Sequence, residues 1–78
     1  MSVSHPVLVL LRLLHDGAMR RDAAREFIGG GPGVFESTLA EAGALVKPSQ
    51  GTYRRDESAW FLNLTPDGER ALAAAQPG

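Results

Sequence analysis

Leu39-Ala40-Glu41-Ala42-Gly43-Ala44-Leu45-Val46-Lys47 is the stretch where a helical repeat gives way to an extended one. Upstream of it, Phe35, Leu39 and Ala42 fall on one face at helical spacing, with Thr38 beside them. That spacing predicts a helix from about Pro32 to Ala42, stopped at Gly43. Its outward side carries Glu36, Ser37, Ala40 and Glu41. Downstream, Leu45 and Val46 start a short strand that Pro48 must end or confine to a sheet edge. Ser49 to Ser58 is polar and contains Gly51, so it reads as a long hairpin loop. Ala59 to Leu64 is the returning strand. Trp60, Leu62 and Leu64 alternate inward at period two, and Phe61 and Asn63 face the other way. Trp60 is therefore expected to pack in the core or at the root of the hairpin. Thr65-Pro66-Asp67 combines an N-cap, a first-turn proline and an acid suited to the helix dipole. It opens a last helix, Pro66 to about Ala75, with Ala71, Leu72 and Ala75 as its contacts.

Toward the N-terminus, a second helix is predicted from about Arg20 to Ile28, with Ala23, Ala24, Phe27 and Ile28 inward. Gly29-Gly30-Gly31-Pro32-Gly33 breaks any helix. No Gly-Lys-Ser/Thr follows it, no strand precedes it and no GxGxxG unit is present, so it reads as a turn between helices rather than a phosphate cradle. The first helix spans about residues 5–15, with Val7, Leu10, Leu11 and Leu14 on one face, Ser4 as N-cap, Pro6 in the first turn and Gly17 as the stop. Val9 and Leu13 form a second apolar stripe on another face. Either later elements cover it, or it is an oligomer or partner interface.

The chain has 78 residues, 8 Lys+Arg against 9 Asp+Glu, 2 His and no Cys, for a formal net charge of -1. This length suits one domain, residues 1–78. A domain of this size buries only about 60% of its unfolded surface, so its stability is modest or helped by association. The absence of cysteine removes disulfides, thiolate metal sites and a cysteine nucleophile. The charge balance argues against a strongly basic coat protein and against a disordered polyelectrolyte. The longest apolar run, Pro6 to Leu11, stops at Arg12, far short of the roughly 20 residues of a spanning helix. No Lys or Arg precedes that run and no small-residue cleavage site follows it, so no signal peptide and no membrane association are read, and a cytoplasmic location is expected.

The segment Leu39 to Lys47 resembles the end of the recognition helix and the first wing strand of winged helix-turn-helix regulators of the MarR and PadR type, which often read Leu-x-x-x-Gly-Leu-Val there. Leu62-Asn63-Leu64-Thr65-Pro66-Asp67-Gly68-Glu69-Arg70-Ala71-Leu72 is similar to their second wing strand and following helix, commonly Leu-Thr-x-x-Gly-x-x-x-Leu after a hydrophobic strand. The resemblance covers roughly Leu8 to Leu72. It implies an α+β, mainly α, winged helix-turn-helix: three helices, a two-stranded wing hairpin over about residues 44–64, and a short C-terminal helix. It further implies a third helix in the major groove, a wing on phosphates or a flanking minor groove, and a homodimer that represses transcription from duplex DNA.

The candidate DNA contacts are Arg20, Arg21 and Arg25 on the second helix, Ser37 and Thr38 on the third, and Lys47, Tyr53, Arg54 and Arg55 in or beside the wing. Asp56 and Glu57 follow the wing arginines and are able to pair with them. The third helix has no Lys or Arg on its outward side, and its carboxylates accept from cytosine N4 but repel phosphate. That acidic side, with the Val9 and Leu13 stripe, suits an alternative role as a winged-helix protein-interaction module. No Gly-x-Ser-x-Gly elbow, acid/base dyad or clustered ligand set is present, so neither catalysis nor a metal or cofactor is expected. His5 and His15 stand apart without Cys or clustered carboxylates, and His15-Asp16 reads as a helix-end pair.

Overall fold

The computed structural model describes residues 3–75; residues 1, 2 and 76–78 of the expected domain lie outside the described part. The order of elements is α1 (His5–His15), β1 (Met19–Arg20), α2 (Arg21–Ile28), α3 (Val34–Ala42), a 3-10 turn (Gly43–Leu45), β2 (Val46–Tyr53), β3 (Glu57–Leu64) and α4 (Pro66–Ala75). The sheet is antiparallel in the order β1-β3-β2. Helices hold 56% of the described residues, so the class is α+β with helix predominating. Among the described residues, no helix is long and apolar enough to cross a membrane.

The core follows from the periodicities. Val7, Leu10, Leu11 and Leu14 of α1 are buried against Ala24 of α2, Phe35 and Ala42 of α3, Val46 and Leu62 of the sheet and Leu72 of α4. Each fully buried Leu or Phe contributes about 1.5–3 kcal/mol relative to exposure. The four α1 side chains therefore form the largest single block of burial. The register Val46↔Leu64, Pro48↔Leu62, Gln50↔Trp60 puts these residues on one sheet face, and Met19↔Leu62 adds β1 to it. The other face carries Lys47, Ser49, Gly51 and Tyr53 opposite Asn63, Phe61, Ala59 and Glu57, with Arg20 beside Phe61.

Several local expectations are corrected. The hairpin is longer than its polar composition suggests: the strands run to Tyr53 and from Glu57, leaving only Arg54, Arg55 and Asp56 as the turn. Polar cross-strand ties replace apolar pairing there, with Gln50 Nε2 donating to Ser58 Oγ at 2.7 Å and Asn63 Nδ2 to Ser49 Oγ at 2.7 Å. Of the two expectations for Pro48, the sheet edge is the one found: it sits inside β2, which is an edge strand. Arg20 belongs to β1, and α2 begins at Arg21. The third helix begins at Val34, because Gly33 adopts a left-handed conformation (φ 82°) at the cap and Pro32 stays in the turn. Ser4 occupies the N-cap position of α1 and its carbonyl accepts from Leu8 N–H at 2.9 Å, but its hydroxyl makes no cap bond and donates instead to Glu41 Oε2 at 2.9 Å. Phe27 is 65% exposed rather than inward, since α2 is only eight residues long and Ala24 supplies its fully buried contact. Trp60 keeps the inward-facing register but is 53% exposed, because the buried part of that face ends at Leu62.

The start of α4 shows why Thr65 and Gly68 stand where they do. Thr65 Oγ1 accepts from Gly68 N–H at 3.0 Å, which is the N-cap bond, and donates to the Ala44 carbonyl at 2.7 Å. Thr65 N–H donates to the Leu45 carbonyl at 3.1 Å. The first turn of α4 is thereby pinned to the 3-10 turn so tightly that a Cβ on Gly68 meets the Leu45 carbonyl oxygen.

Candidate nucleic-acid interface

Arg20, Arg21 and Arg54 gather around Tyr53 toward the tip of the hairpin. Arg20 leaves β1 on the face that also carries Tyr53, and its Cζ lies 4.1 Å from the Tyr53 ring centroid. Arg54 enters the hairpin turn with φ 63°, a left-handed conformation that bends the chain back. Its Cζ lies 5.1 Å from the same ring. Two guanidiniums thus share one aromatic ring, each contact contributing about 0.5–1 kcal/mol at an exposed site. Like charges this close repel, and an anion between them relieves that repulsion. Arg21 opens α2, with Cζ 5.9 Å from the Phe35 ring. A cleft of about 450 Å³ runs from Arg20, Arg21 and Asp22 to Tyr53 and the β3 segment Glu57 to Trp60. Lys47 is exposed at the hairpin root on the Tyr53 face. Arg55 is exposed at the tip and, with Asp56, borders a shallow depression beside Gln50 to Thr52.

The acids partition unevenly. Among the described residues neither Arg54 nor Arg55 forms an ion pair, so Asp56 and Glu57 do not cancel the tip charge at contact range. Arg20 has Asp22 Oδ2 at 4.0 Å. Arg25 does not join the cluster; its guanidinium pairs with Glu36 at 3.5 Å. Glu41 holds the Ser4 hydroxyl. Both outward carboxylates of α3 are therefore engaged by neighbouring elements.

Of the two polar α3 candidates, Ser37 is exposed and Thr38 is not. Thr38 is only 3% exposed and its Oγ1 donates to the Val34 carbonyl at 2.8 Å, so it is a core position and is withdrawn as a surface contact. Seven residues thus remain accessible around the hairpin, the start of α2 and α3: Arg20, Arg21, Ser37, Lys47, Tyr53, Arg54 and Arg55.

One feature was hidden by the strand alternation. Trp60 stands over a groove of about 390 Å³ between α3 and the sheet, lined with Leu39, Gly43, Val46, Pro48 and Leu62 and with Arg21 at its rim. The flanking polar run from Ser49 to Ser58 was the available signal, because it marks a hairpin that outruns the core. Among the described residues, no three His, Asp or Glu side chains come together as a metal-holding group. Compared with family models, curated proteins and solved structures, the chain matches none.

Proposed function

We propose that the chain is a small cytoplasmic winged-helix protein that binds duplex DNA and regulates transcription. In this reading α2 and α3 are the helix-turn-helix and the β2–β3 hairpin is the wing, as the element order and the β1-β3-β2 sheet support. The observation that carries it is the convergence of Arg20 and Arg54 on Tyr53 next to Arg55 in the turn, with no carboxylate among the described residues paired to either hairpin arginine. Such preorganised guanidiniums suit phosphate oxygens, which fix a protein on the duplex without reading its sequence. Base contact falls to the exposed side of α3, where Ser37 is the available hydroxyl. Affinity in this account comes chiefly from phosphates, so it depends steeply on salt.

The test compares wild type with Arg54→Ala plus Arg55→Ala on a labelled duplex over a salt series. The double variant weakens binding and flattens the slope of log K against log salt by about 1.8, at about 0.9 per lost phosphate contact. Unchanged affinity and slope remove the hairpin from the mechanism.

A second reading, a protein-interaction module, is favoured by the exposed Trp60 over its apolar groove. It moves the protein-binding surface from the acidic side of α3, whose carboxylates are already engaged, to the cleft between α3 and the hairpin. Trp60→Ala separates the two readings. It leaves the salt slope of duplex binding in place if the hairpin cations bind DNA, and abolishes partner capture if the groove is the working surface.

A further inference from the structure

We propose that the open edge of β3 pairs with an extended peptide segment of a partner protein, laid antiparallel to β3 in line with β1. β1 covers β3 only at Leu62 and Phe61, after which the chain turns into α2 at Arg21. Continued one step, that register sets Arg21 opposite Trp60 and closes one end. From Glu57 to Ala59 β3 has no strand on that side, roughly 10 Å of edge at about 3.3 Å per residue. The cleft of about 450 Å³ follows this edge. Thr65 N–H donates to the Leu45 carbonyl, which the β2–β3 register sets directly opposite. Backbone direction alternates along a strand, so the odd-numbered residues of β3 turn N–H and C=O toward β2. The even-numbered ones turn theirs away, Leu62 to β1 and Ser58 to the cleft. Among the described residues no turn or loop backbone bond reaches Ser58. The outer edge of β2 is blunted by Lys47 and by Pro48, whose nitrogen has no proton and by the same parity faces outward. The open stretch of β3 has neither Pro nor Lys.

An extended backbone is the occupant that supplies a donor and an acceptor at strand spacing, and its side chains give the specificity. A residue opposite Ser58 lies on the Trp60 face, one diagonal step from that exposed ring, and is apolar. Its neighbour opposite Ala59 lies on the other face with Arg20, whose Cζ reaches the Tyr53 ring farther along the same stretch, and is acidic. The neighbour on the other side stands opposite Glu57 and is basic, because Glu57 has no ion pair among the described residues. Read from N to C in the direction of β1, the segment is acid, apolar, base. So short an edge falls far below the roughly 800 Å² per partner of a standard interface, so the association is weak and fast-exchanging.

The inference goes beyond the DNA reading and is measured without nucleic acid, so either can fail alone. The isotope-labelled full chain is titrated with the acetylated, amidated peptide Thr-Asp-Ile-Lys-Val, followed by nuclear magnetic resonance. Saturating shifts are expected at the Ser58 and Trp60 amides, with slowed exchange of the Ser58 amide hydrogen. Methylating the Ile nitrogen removes the donor that faces Ser58 and weakens binding by about tenfold or more. Methylating the Asp nitrogen, which points to solvent, leaves binding within about threefold. Exchanging Asp and Lys weakens it several-fold. Ser58→Pro closes the edge from the protein side, removing the N–H that faces the cleft while sparing the β2–β3 ladder, and abolishes binding. Circular dichroism checks that this variant stays folded; if it does not, the two methylated peptides decide. No shift at Ser58 with millimolar peptide overturns the proposal. So does binding indifferent to which nitrogen carries the methyl group, which would place the peptide in the Trp60 groove instead.

Discussion

Gly68 is a packing requirement of the junction between β3 and α4. It is buried in the first turn of α4, where an added Cβ meets the Leu45 carbonyl. That obstacle is backbone, pinned by the Thr65 bonds to Ala44 and Leu45, so it cannot swing aside. Gly68→Ala is expected to destabilise by about 1–3 kcal/mol, seen as a lower denaturant midpoint at an unchanged m-value. Thr65→Ala should cost about 1 kcal/mol by the same measurement, through the lost N-cap bond. Tyr53 belongs to a different kind of site, because its ring orders two guanidiniums without carrying charge. Tyr53→Leu should lower stability by no more than about 1–2 kcal/mol, the sum of its two cation–π contacts. Under the DNA reading it weakens duplex binding by a few-fold while leaving the salt slope nearly intact, since the arginines remain. A loss of slope equal to that of the double arginine variant would contradict this positioning role.

Among the elements, α3 and the hairpin divide the work of the proposed interface. The carboxylate of Glu36 on α3 holds Arg25 at 3.5 Å, so under the DNA reading a cation that could serve phosphate is instead engaged by an acid of α3. Glu36→Gln removes a negative charge and frees Arg25. It is expected to tighten duplex binding several-fold at low salt and to steepen the salt slope by up to about 0.9; weaker binding would instead assign Glu36 a base contact. The helices were largely legible in the sequence, because Val7, Leu10, Leu11 and Leu14, or Phe35 and Ala42, bury at the spacing that predicts them. β1 was not legible, since two residues are too few to display a period and its pairing with Leu62 and Phe61 is entirely non-local. The long hairpin was hidden for a related reason: strand residues beyond the core are held by Gln50–Ser58 and Asn63–Ser49 contacts and need no hydrophobic alternation. Phe27 and Trp60 were read as inward because alternation and helical spacing assign a direction but not the extent of the core. The candidate site was legible as a list of cations. Which of them meet Tyr53, and which of them Glu36 removes, is decided by contacts between elements far apart in the chain.

On the scale of the whole molecule, a small domain concentrates its stability in few side chains. Total stability of roughly 4–12 kcal/mol is expected for a chain of this length. Leu10 is completely buried at the centre of α1. Leu10→Ala should cost about 2–5 kcal/mol and lower the thermal midpoint by about 8 °C or more, at about 4–8 °C for each kcal/mol. A shift under about 2 °C would mean that the core is organised differently. The overall formal charge of -1 makes the uneven placement of cations decisive for the DNA reading, because the net charge of the molecule offers a duplex no attraction. The central claim is therefore tested most directly by fluorescence anisotropy of a labelled mixed-sequence duplex, titrated with the full chain at several salt concentrations. The account predicts micromolar or tighter binding at low salt, falling linearly in log salt with a slope near -0.9 for each phosphate neutralised. Absence of binding at low salt, where phosphate attraction is strongest, would contradict it and leave the Trp60 groove as the working surface.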